Sequence, residues 1–199
     1  MDLLIATNNP GKVAEMLSLL ADMQGLAIRT PADLDLHLDI PETGSTYAEN
    51  ATLKALAFAQ ASRLPALADD SGLELEALNG APGLISARFA PQNPSTAAQR
   101  RAYLLEKLAE HPQPWKARFV STLCLALPEG ATHFTTGVCE GEIIPEERGD
   151  QGFGYDPIFV VAGMGRTMAE LSMREKNQLS HRALAVEEMK SRLSTLLIP

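Results

Sequence analysis

Two cysteines, one tryptophan and four histidines are all that this chain of 199 residues holds of the residues that most often staple a small fold or ligate a transition metal. Cys124 and Cys139 both lie in apolar, strand-like segments. They read as two buried free thiols, because a disulfide framework takes more cysteines and an oxidising compartment. His37, His111, His133 and His181 stand at no metal-ligand spacing. No Ser-His-Asp order reads as a hydrolase triad, and there is no GxSxG elbow. No stretch is apolar for long enough to cross a bilayer. The opening Met1-Asp2-Leu3-Leu4-Ile5-Ala6-Thr7 lacks the basic start of a secretory signal. The expectation is a cytoplasmic protein without a membrane partner. Positive charge is scarce too: 17 Lys and Arg stand against 25 Asp and Glu, a net charge of −8. That disfavours nucleic acid as a partner, since its backbone draws on clustered Lys and Arg. A nucleotide is still allowed, because a few local cations and a metal can hold three phosphates on an acidic protein.

What is present is an alternation of strand-like and helix-like stretches. Leu3 to Ala6 is a short apolar run that stops at Thr7-Asn8-Asn9-Pro10-Gly11, a buried strand entering a turn. Val13, Met16, Leu17 and Leu20 follow at helical spacing. Thr46 and Glu49 fit a capping box that opens a helix from Tyr47 to about Ser62. Its Asn50 and Lys54 are four apart and share a face. Ala66-Leu67-Ala68 reads as a buried strand running into an Asp69-Asp70-Ser71-Gly72 turn, with a half-exposed strand around Leu73 and Leu75 after it. Thr96 and Gln99 cap a further helix through Leu108. Two β-like segments, Ala117 to Leu127 and Thr132 to Ile144, are joined closely enough to be antiparallel neighbours. A glycine-rich loop from Gly149 to Pro157 precedes the strand Ile158 to Val161. A last helix from about Ser180 carries Val186, Met189, Leu193 and Leu196 on one stripe. The expectation is one α/β unit over residues 1–199 with a mixed sheet flanked by helices.

Four polar stretches could carry chemistry. Thr7-Asn8-Asn9-Pro10-Gly11-Lys12 is a strand-to-helix turn, where backbone N–H groups and the helix dipole favour an anion such as a phosphate chain. It lacks Walker A spacing. Asp69-Asp70 sets two carboxylates side by side, which repel unless a cation or proton intervenes. Hard oxygen donors without His or Cys favour Mg²⁺ over zinc. Strand alternation sends the two carboxylates in different directions, one toward metal and water and the other bracing the turn. Gly152-Phe153-Gly154-Tyr155-Asp156-Pro157 offers either flat faces and an acceptor for a base or a tight loop plugged into the core. Lys176, His181 and Arg182 bring cations to the start of the last helix, against its dipole.

Taken together and in order, TNNPGK, ETGSTYAENATLKA, LADDSGLELEAL with GAPGLISARF, GFGYDPIF and EKNQLSHRA resemble the Ham1-like family of inosine triphosphate pyrophosphatases, from about Leu3 to Leu193. The resemblance implies an elongated mixed α/β fold of two lobes with the active site in the cleft, and a homodimer. It implies that Thr7, Asn8, Asn9, Pro10, Gly11 and Lys12 bind the triphosphate and that Lys54 contacts phosphate. Asp70 becomes the catalytic base, Asp70 and Glu42 the Mg²⁺ ligands, and Ser71 a substrate contact. Phe153, Gly154, Tyr155 and Asp156, with Lys176, His181 and Arg182, become the base-reading set. The implied reaction cuts inosine, deoxyinosine and xanthosine triphosphates to monophosphate and pyrophosphate. Many relatives carry Gly where Asn8 stands. The related Maf-like pyrophosphatases and a nucleotide-sensing module without turnover are the rival readings.

Overall fold

The computed structural model describes residues 1–92 and 94–198. Its sheet starts from the short apolar run near the amino terminus. Strand β1 (Asp2–Ile5) pairs in parallel with β2 (Ala27–Arg29) on one side and with β3 (Ala66–Leu75) on the other. A strand flanked in this way is fully covered, and Leu3, Leu4 and Ile5 are all buried. Strands β4 (Trp115–Ala126), β5 (Thr132–Ile143) and β6 (Phe159–Val161) complete the sheet in the order β2-β1-β3-β4-β5-β6. The link from β4 to β5 is tight: the Ala131 carbonyl accepts from the Leu127 N–H at 2.9 Å, and Gly130 takes a φ of 98° to close the turn. β5 and β6 are antiparallel, with Gly141 opposite Val161. The sheet is therefore mixed, as the alternation of elements predicts.

The chain forms two compact units, and the division falls within β3, β4 and β5. The first unit comprises Met1–Asp70, Ser121–Gly137 and the chain from Arg182 on. Here the two-residue period of the strands sorts side chains by size. Leu3, Ile5, Leu67, Leu123 and Leu125 point to one face, where α1 (Pro10–Leu19) and α5 (His181–Leu197) bury Met16, Val186, Met189 and Leu193 against them. Leu4, Ala6, Ala66, Ala68, Cys124 and Ala126 point to the other. That face is mostly alanine, and it meets Ala51, Ala55 and Ala59 of α2 (Tyr47–Ser62), so small residues line both sides of the α2 contact. The second unit, Ser71–Val120 with Val138–His181, holds its own core of Leu73, Leu75, Leu104, Leu108, Trp115, Phe119 and Phe159. It contains α3 (Ala97–Leu108) and α4 (Met173–Leu179).

Several expectations need adjustment. Asp69 to Gly72 do not form a turn: β3 is continuous from Ala66 to Leu75. Leu17 is exposed, and the buried stripe of α5 ends on Leu197 rather than Leu196. Helix α4 and strand β2 are too short to leave a periodic signal. The Thr96–Gln99 capping box closes reciprocally, whereas Glu49 accepts from the N–H and hydroxyl of Ser45 instead of returning to Thr46. Among the described residues, no helix is long and apolar enough to cross a membrane.

If small side chains are what let α2 seat on the sheet, Ala55→Leu should overpack that contact and lower unfolding stability by about 1–3 kcal/mol. A urea midpoint unchanged from the parent would refute the packing argument.

Candidate active site

The carboxylates of Asp69 and Asp70 go separate ways because successive residues of a strand face opposite sides. Asp69 is buried. One of its oxygens accepts from the Ser121 hydroxyl at 2.5 Å. The other accepts from Nε and an Nη of Arg182, at 3.1 and 2.9 Å, and lies 2.9 Å from the Lys12 ammonium. The remaining guanidinium nitrogen of Arg182 meets Glu15. Burial alone would raise the Asp69 carboxyl, but Arg182 and Lys12 outweigh it and hold the group well below the usual carboxylate range. Burial pulls Lys12 down, helped by the neighbouring charges of Arg182 and Lys54 and resisted by Asp69.

Asp70 faces α2. Its Oδ1 accepts from the Lys54 ammonium at 2.7 Å and its Oδ2 from the Asn50 amide at 3.3 Å. The same ammonium reaches Glu42 at 3.0 Å and the Asp69 carbonyl at 3.0 Å. Asn50 and Lys54 can both serve Asp70 because they stand one helical turn apart. The Asn50 side-chain carbonyl also accepts from the Gly44 N–H at 2.8 Å, which ties the Glu42 loop to the same helix. A Cβ at Gly44 would lie 2.7 Å from that carbonyl oxygen, so the close approach needs glycine. Burial raises the Asp70 carboxyl and Glu42 adds to the rise, while Lys54 opposes it. Lys54 itself is lowered by burial but carried upward overall by Asp70 and Glu42.

The opening loop abuts this cluster through Lys12, whose ammonium also donates to the Asp69 carbonyl at 3.3 Å. Asn9 caps α1, accepting from the N–H groups of Gly11 and Lys12 at 3.0 and 3.3 Å, and Pro10 takes the first helical position. The Thr7 hydroxyl accepts from the Asn9 N–H at 3.2 Å. Asn8 has no left-handed backbone to accommodate; its amide donates to the Leu38 carbonyl at 2.8 Å and anchors the segment before Glu42.

In the second unit the GFGYD loop is pinned by its own side chains. Asp156 is buried and accepts from the Phe153 N–H at 2.9 Å and from the Lys176 ammonium at 2.6 Å. That ammonium lies 5.3 Å from the centre of the Phe153 ring, within cation–π range. The Tyr155 hydroxyl donates to the Ser86 carbonyl at 2.9 Å, and burial raises its pKa so that it remains a neutral donor. His181 stacks on Phe119 with ring centres 4.8 Å apart. Ser71 is half-buried in β3.

Residues 3–192 match the model of the Ham1 family. The chain belongs to the Ham1 family. A Ham1 protein of Coxiella burnetii aligns at a TM-score of 0.87 with 43% identity, covering 98% of this chain and 99% of its own. The Ham1 protein of Staphylococcus aureus aligns at 0.84 with 39% identity, over 98% and 99% of the two chains. The dITP/XTP pyrophosphatase of Exiguobacterium sibiricum is 44% identical over 198 residues, 99% of each chain.

The structure thus gathers Lys12, Glu42, Lys54, Asp70 and Arg182 in the first unit, and Phe153, Gly154, Tyr155, Asp156, Lys176 and His181 in the second. Arg182 spends its guanidinium on Asp69 and Glu15. Glu15, Asn50 and Ser121 complete the first set, and sequence reasoning gave none of them a role. Glu15 was the findable one, a carboxylate beside Met16 on the buried stripe of α1. Among the described residues no group of three or more His, Cys, Asp or Glu gathers into a metal cage. Glu42 and Asp70, sharing one ammonium, form a pair of hard oxygen donors around a position that already holds positive charge. Such a pair fits Mg²⁺, which takes one or two carboxylates and completes its shell from phosphate and water.

Arg182→Met should cost about 3–5 kcal/mol, because it takes a buried guanidinium away from two buried carboxylates. The sign with pH is fixed by the depressed Asp69 pKa. Its contribution is complete above the ordinary value of 3.8 and is lost as the pH falls toward the folded value. The variant should therefore be weaker at neutral pH and lose less on acidification. Parallel stability–pH curves for parent and variant would contradict this.

Proposed function

We propose that this chain hydrolyses the triphosphates of deaminated purines, inosine, deoxyinosine and xanthosine, to the monophosphate and pyrophosphate, removing them from the nucleotide pool before they enter DNA or RNA. Membership of the Ham1 family and the activity named for its Exiguobacterium relative support this reading. The observation that carries it is the geometry of Asp70: a buried carboxylate with both oxygens held by donors from one face of α2. Donors fixed one helical turn apart aim its lone pairs, as a general base requires.

In this mechanism a water attacks the α-phosphorus and Asp70 takes its proton. The bond from the α-phosphorus to the bridging oxygen breaks, and pyrophosphate leaves with that oxygen. Lys54 and Lys12 offset the charge that grows on the departing group. Glu42 and Asp70 would hold Mg²⁺, which supplies further positive charge against the phosphate oxygens. The N–H groups capped by Asn9 and the start of α1 bind phosphate, with Thr7, Pro10 and Gly11 shaping the turn and Asn8 anchoring it. Arg182 contributes by bracing Asp69, and so the strand that carries Asp70. Ser71, beside Asp70, contacts substrate.

The GFGYD loop reads the base. Phe153 and Tyr155 offer apolar faces, while Lys176 and His181 supply donors. The 6-oxo group of hypoxanthine or xanthine accepts such donors, whereas the 6-amino group of adenine leaves them unmatched, and unmatched buried donors discriminate strongly. A homodimer in the cytoplasm, where its two buried thiols stay reduced, is part of the same proposal.

The decisive measurement is a panel of nucleoside triphosphates assayed for pyrophosphate with and without Mg²⁺. The inosine and xanthosine compounds should be preferred over adenosine, and activity should vanish on chelation. Asp70→Asn should lower kcat by about 10²–10⁴-fold, the usual worth of a positioned general base. Near-normal turnover by a folded Asp70→Asn protein would remove Asp70 from the role.

A further inference from the structure

The GFGYD loop has a fourth restraint, and it does not come from the base-reading residues. Arg101 of α3 aims Nε and Nη2 at the two carboxylate oxygens of Glu147, at 2.7 and 2.8 Å. Its third nitrogen, Nη1, donates to the Gly154 carbonyl at 2.8 Å. One guanidinium therefore grips both ends of the segment from Glu147 to Gly154. The segment needs such a grip. Gly149, Gly152 and Gly154 all take positive φ, at 81°, 75° and 63°. Three glycines so close together leave the backbone many alternatives to the folded path. The Gly154 carbonyl belongs to the residue between Phe153 and Tyr155, so holding it fixes the backbone that joins the two aromatic residues. Arginine suits the task because its planar fork presents parallel donors to a carboxylate with one nitrogen to spare; the ammonium of lysine cannot match that geometry. The Arg101 side chain is only 12% exposed, so its donors are shielded from water.

We propose that Arg101, clamped by Glu147, is a positioning residue that sets substrate specificity by fixing the Phe153–Tyr155 backbone from helix α3. Its effect on specificity rests on the base-reading role proposed above for that loop; its effect on loop order does not. Helix α3 is anchored independently by Leu104 and Leu108 in the second core, so the strut starts from a rigid base.

Three variants test it: Arg101→Met, Arg101→Lys and Glu147→Gln. Two readouts are taken on each full-length protein. The first is the ratio of kcat/KM for inosine triphosphate over adenosine triphosphate. Arg101→Met should lower this ratio about tenfold or more, since a misplaced loop loses discrimination as well as rate. Arg101→Lys should recover only part of the loss, and Glu147→Gln should fall between the parent and Arg101→Met. The second readout is amide hydrogen exchange, with the Phe153 N–H as reporter through its bond to Asp156. Exchange over residues 147–156 should quicken in Arg101→Met while α3 stays protected. A fall in kcat/KM by one factor for every nucleotide, with the ratio kept, would reduce Arg101 to a stability residue and overturn the proposal. Exchange unchanged from the parent would also overturn it. Should Arg101→Met fail to fold, Glu147→Gln carries the same two tests from the clamp's other side. If the parent cleaves no nucleotide, the function proposed above fails, and hydrogen exchange still decides whether Arg101 orders the loop.

Discussion

A single buried carboxylate organises the first unit. Asp69 collects a hydroxyl, an ammonium and two guanidinium nitrogens. Those donors come from β4, α1 and the first turn of α5, elements far apart in the chain. Burying so much charge is costly, and it is sustained only because each oxygen of Asp69 is matched by good donors. The dense pairing also explains how Arg182 can sit at the start of a helix, where the dipole disfavours a cation. Two carboxylates, Asp69 and Glu15, compensate it.

The strand period then divides the work. With Asp69 turned into the ion cluster, Asp70 must face α2, where Lys54 and Asn50 wait one helical turn apart. The two aspartates end with opposite properties: Asp69 is held well below its ordinary pKa and Asp70 is lifted above it. Adjacent residues of one strand thus sit in opposite electrostatic environments.

The sequence announces the parts of this arrangement that depend on local pattern. Thr46 and Thr96 mark the starts of α2 and α3 because N-capping is decided within four residues. The run that became β1 is legible because a strand buried on both faces is apolar throughout, and β5 because buried and exposed positions alternate along part of it. The direction of Asp69 against Asp70 also follows from a two-residue period. The rest depends on contacts between distant residues. Nothing local marks Ser121 as a donor to Asp69, 52 positions away, or Arg101 as a strut for Gly154, 53 positions away. Helix α4 escapes notice because a helix of seven residues completes barely two turns. The turn expected at Asp69 to Gly72 fails for a physical reason: Asp, Ser and Gly favour turns when exposed, but here both aspartates find buried partners, and satisfied side chains no longer compete with the strand. The family motifs located the candidate residues; only the geometry shows which of them share partners.

The same cluster resolves how a protein with a net charge of −8 can serve a polyanion. Its cations around Asp70 are not spread as a field; they are lodged on carboxylates, Lys12 on Asp69 and Lys54 between Asp70 and Glu42. Burial and the nearby charges of Arg182 and Lys54 depress Lys12. A phosphate brought beside it would favour the ammonium form and relieve part of that opposition. Any attraction this cluster holds for an anion is therefore local. What an anion meets at this cluster is set by where the positive charge is kept, not by how much of it the chain carries.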